Sequence, residues 1–477
     1  MKKILLVLFI ILPAAIAAFV AINLKDQSLN PNAFTLADLP PLNFEVSNGY
    51  YIVYWLAEPE EVDFQSDAYI KPIREYYNST SLREMLKHND LSRSIPAYYK
   101  WPYKELLRQI KFPGNYQIDL IGHLAPQWEL VEKVGQKLKL PLKLWRKLLE
   151  CEVVQDFCLP YWGASWPTLM PVWHLARFYP CLALKKAVEG NWQEGAADLL
   201  AQVELGKKFN ANSRGMVNTQ IGRAIIYSSL HGLISMLNHP ECPETVVKQI
   251  LDGLPPIKYR EYGNHNAFIA EGIFYSSGVD FRQIVHEEEG VGLLEKLLFQ
   301  VNTTKNYYYD LYSKSIAYDR QDPYLWKLDP GVELQAFVDS KKKGFLNKFK
   351  NYFGKKSFVI NVRSSIYREL FTSNRLRAYY MMTRILAELR LKYTEGRDIQ
   401  EVLAELAAYK VMDPCSGKPF ILNKKSWVLY SIGIDKKDQG GIEKNTPSYE
   451  TDVAIPLTFW SPELVTRVPQ KKDLPTL

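Results

Sequence analysis

Apolar residues run almost unbroken from Ile4 to Leu24, and no later stretch of the chain matches that length. About 20 apolar residues cross a bilayer as a helix, and Lys2 and Lys3 in front of them hold that end in the cytoplasm. The same residues read as a secretory signal if Ile4 to Leu12 is the apolar core, Pro13 the breaker and Ala15-Ile16-Ala17 the cleavage site. Apolarity that continues from Ala18 to Leu24 favours a retained anchor. Residues 1–24 are therefore expected to be a transmembrane anchor or signal peptide, and both readings export the rest of the chain.

Beyond the anchor the pattern loosens. Residues 25–64 are expected to be a linker and a short strand. Pro31, Pro40 and Pro41 among Asn and Asp suit a spacer lifting the body off the membrane, and Tyr50-Tyr51-Ile52-Val53-Tyr54-Trp55-Leu56 is a β-branched and aromatic run. From 65 to 374 apolar residues recur at spacings of three and four, broken at Phe112-Pro113-Gly114-Asn115 and Leu254-Pro255-Pro256, which predicts an α-helical domain. The clearest pair is predicted over Trp173 to Ala187 and Trp192 to Lys208, joined by Glu189-Gly190-Asn191. Ala187, Gly190, Gly195, Ala196 and Ala197 place small residues where the two helices approach, a pattern similar to one tetratricopeptide-type hairpin. Helices from Met216 to Leu237 and from Pro243 to Leu254 are predicted to follow. No second copy recurs at a fixed period. The expected fold class is mainly α: an irregular multi-helix body, a small α+β C-terminal module and one N-terminal transmembrane helix.

The net charge of +7 belongs to one segment. Lys341, Lys342, Lys343, Lys348, Lys350, Lys355 and Lys356 have no acid among them, so the remainder is close to neutral and a nucleic-acid partner loses its support. Within it Phe345, Leu346, Phe349, Tyr352 and Phe353 fall on one helical face, with lysine and asparagine on the other. Lys343, Phe345, Lys348, Phe349, Lys350 and Phe353 are accordingly expected at an anionic membrane surface, the alternative being an amphipathic helix docked on the body. The five cysteines, Cys151, Cys158, Cys181, Cys242 and Cys415, are an odd set for an oxidising compartment. Cys415 is expected to stay unpaired, with Cys151–Cys158 or Cys158–Cys181 as the sequence-local bridges.

Catalytic signatures are thin. Gly163-Ala164-Ser165-Trp166-Pro167 lacks the second glycine of a nucleophile elbow, and His286-Glu287-Glu288-Glu289 lacks the second histidine of a zinc-protease helix. The aromatic runs Tyr98 to Tyr103 and Tyr161 to Pro167 suit core packing, with sugar stacking as the alternative. A carboxylate pair for acid–base work stays open.

Past residue 374 the chain changes character. A helix predicted from Arg375 to Tyr393 leads to a short helix from Ile399 to Ala408 and to Asp413-Pro414-Cys415-Ser416-Gly417-Lys418-Pro419. Tyr430-Ser431-Ile432-Gly433-Ile434-Asp435, Gly440-Gly441 and Asp452 come next. This order resembles the globular half of the major pseudopilin of type II secretion, so residues 375–477 are expected to be a pseudopilin-like α+β module and tail. The resemblance implies a calcium site in which Asp435, Asp438 and Asp452 supply carboxylates. Lys436, Lys437 and Gln439 depart from the acidic run of that family, and its N-terminal peptidase signal is missing from residues 1–24. The whole chain resembles bacterial envelope proteins with a helical body and a single anchor, which implies a single-pass protein of the cell inner membrane with its body in the periplasm. The expected function is non-catalytic binding or scaffolding of an envelope protein, a glycan or the membrane itself. The alternatives are an extracytoplasmic hydrolase directed at glycan through a carboxylate pair, and a secretion-system accessory.

Overall fold

The computed structural model describes residues 27–43, 45, 47–56, 101, 103–112, 119–156, 169–288, 300–327, 329–340, 362–394, 401, 405, 411–441 and 452–457, with Ala14, Ala17, Ala18 and Ala21. The principal helices are α1 (Tyr50–Trp55), α2 (Trp128–Lys137), α3 (Lys139–Glu150), α4 (Met170–Val188), α5 (Trp192–Ala211), α6 (Met216–Asn238) and α7 (Glu244–Gly253). They continue as α8 (His265–Glu288), α9 (Val301–Asp319), α10 (Pro330–Ser340) and α11 (Val362–Thr394). A small antiparallel sheet in the order β1 (Ile421–Asn423), β2 (Val428–Ser431) and β3 (Val453–Pro456) completes the fold. The protein is thus mainly helical.

The predicted pair is present as α4 and α5, turned at Gly190, whose φ of +99° is one that only glycine adopts without strain. Close approach follows from the small residues. A Cβ at Gly195 would lie 2.5 Å from the Ala183 carbonyl oxygen. Where α5 crosses α6, a Cβ at Gly206 would lie 2.6 Å from the Gly222 carbonyl oxygen, and one at Gly222 would lie 2.8 Å from that of Gly206. Buried side chains surround α6, which packs on α4, α5, α8 and α11. It is the central post of the body.

Two hydrophobic cores form. The first holds α1 to α7 together with Leu429, Val453 and Ile455 of the sheet, and the second holds α8, α9 and α10. Helix α11 belongs to both: Ile366, Leu370 and Phe371 lie in the second, and Leu376 to Leu389 enter the first. The helix expected to start at Arg375 therefore starts at Val362 and passes through 374 and 375 without a break. Its Tyr379 hydroxyl donates to the Ala454 carbonyl, fixing β3 against the helix.

Three expectations are corrected. The run expected as a strand is helix α1, with Tyr50, Tyr51, Ile52, Val53 and Leu56 all buried. A short apolar run has the same pattern in a strand and in a buried helix, and here Asn48 and Gly49 accept the first turn's N–H groups. Residues expected to be a linker are docked as a strap along the body. The Asn306 side chain donates to the Ser28 carbonyl and accepts from the Asn30 N–H, Gln155 bonds the backbone of Pro41 and Asn43, and Arg214 donates to the Pro40 carbonyl. Cys151, Cys181, Cys242 and Cys415 are free thiols, so neither bridge to Cys158 forms. Cys181 faces the core from the middle of α4, and Cys151 donates to the Lys147 carbonyl at the end of α3. Burial pushes the Cys181 and Cys242 thiols up to about 12, which keeps them inert.

Among the described residues no helix is long and apolar enough to cross a membrane. The anchor falls almost wholly outside the described residues, as do Lys343, Phe345, Lys348, Phe349, Lys350 and Phe353 and most of the helix expected from Ile399 to Ala408.

Candidate functional site

Two polar centres stand out. The first is the loop from Gly433 to Gly441 with Asp452, read from the sequence as an ion site. Gly433, Lys436, Gly440 and Gly441 have positive φ, which folds the loop back over β2. The structure brings the three aspartates into one neighbourhood but occupies each differently. Asp435 accepts from the Lys437 N–H at 3.1 Å and from the Gln439 side-chain amide at 3.0 Å. Asp438 Oδ1 accepts from the Tyr430 hydroxyl at 2.9 Å and the Gly440 N–H at 2.8 Å. Asp452 Oδ2 accepts from the Gln439 N–H at 3.0 Å and the Gly441 N–H at 2.8 Å. Lys436 turns away and donates to the Trp326 carbonyl.

Among the described residues no three His, Cys, Asp or Glu side chains converge to hold a metal ion. In this arrangement both oxygens of Asp435, Oδ1 of Asp438 and Oδ2 of Asp452 accept from N–H and O–H donors. One feature is left over. Asp452 is fully buried, and its Oδ1 and the Gln439 Oε1 have no hydrogen-bond partner. Both are acceptors, and a proton answers that need: burial, with the charges of Asp438 and Asp435 adding to it, pushes the Asp452 carboxyl up to about 6.

The sign of the resulting pH dependence follows. A carboxyl raised in the folded state binds its proton more tightly there than in the unfolded chain, so stability rises as pH falls from above 6 toward 4. The Asp452→Asn variant supplies a neutral donor in its place. It is expected to melt higher than the parent at pH 8, by on the order of 2 kcal/mol, and to match it near pH 4.5. His174 and His231, lowered by burial to about 4 and about 3, act in the opposite sense, so the difference between variant and parent is the quantity to follow. Millimolar calcium is expected to move neither melting curve. A calcium-dependent rise that Asp452→Asn removes would establish the ion site.

The second centre was not read from the sequence. In the middle of the body Arg223 of α6 pairs with Glu369 of α11, both almost fully buried, and its guanidinium donates to Asn264 Oδ1 at 2.7 Å. Glu369 also accepts from the Gln220 amide at 2.7 Å. Asn264 donates from its backbone and side chain to both oxygens of Asp319 at 2.6 and 2.7 Å, and the Tyr259 hydroxyl donates to the same carboxylate. Burial raises the Asp319 carboxyl while these donors pull it back down. One cue was available. Arg223 is the only Lys, Arg, Asp or Glu in the 23 residues of α6, and a lone cation in an apolar helix requires a buried partner.

Beside this network Glu271 of α8 makes no hydrogen bond among the described residues. Burial and the nearby Glu369 charge push its carboxyl up to about 7, and burial, with the Glu271 charge adding to it, raises the hydroxyls of Tyr275 and Tyr312. Tyr275 stacks on Tyr308 with centroids 5.2 Å apart, and the Phe34 ring of the strap covers Gly272. Trp101, from an aromatic run considered for sugar stacking, is buried and stacked on His174 at 5.5 Å. The run from Tyr161 lies outside the described residues. Compared with protein-family models, curated proteins and solved structures, the chain matches none.

Proposed function

We propose that this is a non-catalytic envelope protein, anchored in the inner membrane by residues 1–24, whose exported body binds or scaffolds an envelope protein or glycan. The observation that carries this reading is the central network. Asp319 and Glu369 accept from donors of neighbouring segments, so these buried charged groups hold helices together rather than face a substrate. Buried groups so paired fix the relative positions of packed elements, and a rigid body is what a scaffold requires. Protease added to spheroplasts carrying the full chain is expected to digest the body. Protection from protease until the cells are lysed would place it in the cytoplasm and overturn the reading.

Glu271 supports a second reading, a hydrolase directed at glycan. A carboxyl raised to about 7 by burial and by a nearby acidic charge is what general acid catalysis employs. Incubation of the full chain with purified cell-wall glycan tests it. The first reading expects no soluble fragments from the parent or from Glu271→Gln; release by the parent alone would establish the hydrolase.

A further inference from the structure

Because the strap is docked, the distance from membrane to body is short. Ser28, whose carbonyl accepts from Asn306 at 3.0 Å, lies four backbone steps beyond Leu24, the last of the apolar run. Fully extended they span at most ~14 Å. The headgroup layer of one leaflet occupies roughly half of that. Asn306 therefore lies at the headgroups or one side chain above them, and the body has no slack with which to stand off.

The surface around that point suits the location. Tyr309 lies one turn along α9 from Asn306 and packs on Phe34 with centroids 4.9 Å apart, and both rings are half-buried. Lys305 adjoins Asn306 and is also half-buried. An aromatic ring with a polar tip and a lysine with a long apolar stem are the residues that settle at a bilayer interface. Ala14, Ala17, Ala18 and Ala21 in the apolar run are helical with exposed side chains, as a segment that lipid would cover must be.

We infer that the strap seats the body directly on the lipid headgroups, with the Asn306 end of α9 and the Phe34–Tyr309 edge as the contact and the Asp319 end turned away. This rests on the anchor reading of residues 1–24. Along α9 the two ends are separated by about 20 Å at 1.5 Å per residue, enough to distinguish one from the other.

The test uses the full chain in vesicles carrying a headgroup-linked quencher, with a fluorophore at Lys305→Cys or at Gln321→Cys, in a background without Cys151 and Cys158. Flotation after a carbonate wash reads the anchor, and quenching reads the seating. Flotation with quenching at 305 several-fold stronger than at 321 is expected. In a Phe34→Ala/Asn306→Ala background flotation should persist and that contrast should vanish. Flotation with equal quenching at both sites would overturn the seating while leaving the anchor in place. Failure to float would remove the anchor and the inference with it, and a contrast that survives the loosened strap would overturn the strap's part in it.

Discussion

Replacing Arg223 by methionine is expected to cost about 3–5 kcal/mol of stability, read as a shift of the denaturant midpoint. The side chain is enclosed between α6 and α11, and its removal leaves the Glu369 carboxylate buried with only the Gln220 amide to oppose its charge. Asn264 would lose the donor at its side-chain oxygen, and with it part of what orients both its bonds to Asp319. The pair itself is a different quantity from the cost of breaking it. Two charges taken out of water regain little more than their desolvation, so Arg223→Met/Glu369→Leu is expected to recover most of the loss. A single variant within about 1 kcal/mol of the parent would mean that water reaches the pair, and the network would lose its structural role.

A bulky residue at Gly206 is expected to be at least as damaging, and no second substitution should repair it. A Cβ there meets Ile226 at 2.5 Å and the Gly222 carbonyl oxygen at 2.6 Å, so the obstacle includes backbone that cannot rotate aside. Alanine at 206 is expected to lose about 2 kcal/mol and leucine more than about 3, because α5 and α6 must separate along their whole contact. Gly222 is already the smallest residue that the facing helix can offer. Thermal unfolding of the two variants checks the order. Equal stability of Gly206→Leu and the parent would show that the two helices do not cross as closely as described.

The sequence conveyed the helices of the body better than the groups that lock them. The α4–α5 pair was legible because a three-and-four spacing, a glycine turn and small residues at the crossing all agree. Helix α1 was misread because Tyr50 to Leu56 is apolar on every side, and periodicity carries no signal when all faces are buried. The strap was misread for a related reason. Proline and asparagine suit a solvated spacer, yet they equally suit a segment whose backbone bonds side chains such as Gln155 and Asn306, and those partners lie far away in sequence. The start of α11 was placed late because its first turns pack into the second core and its later ones into the first, so no single apolar stripe runs along it. The three C-terminal aspartates grouped from the sequence, Asp435, Asp438 and Asp452, lie in one neighbourhood. The sequence did not show which of their oxygens neighbouring N–H groups would reach, since turn geometry decides which amides point inward.

The strap also sets an order in time. Ser28 and Asn30 meet Asn306 across 278 and 276 residues. At roughly 5–20 residues per second of synthesis, Asn306 follows Ser28 out of the ribosome by about 14–56 s. Helices α1 to α7, all encoded earlier, have that interval in which to assemble, while Phe34 meets Gly272 only late in it and Tyr309 only after it. The Ser28–Phe34 end of the strap is thus among the first made and the last placed. A chain halted before Asn306 keeps that end undocked, even with Pro40, Pro41 and Asn43 already bonded to Arg214 and Gln155.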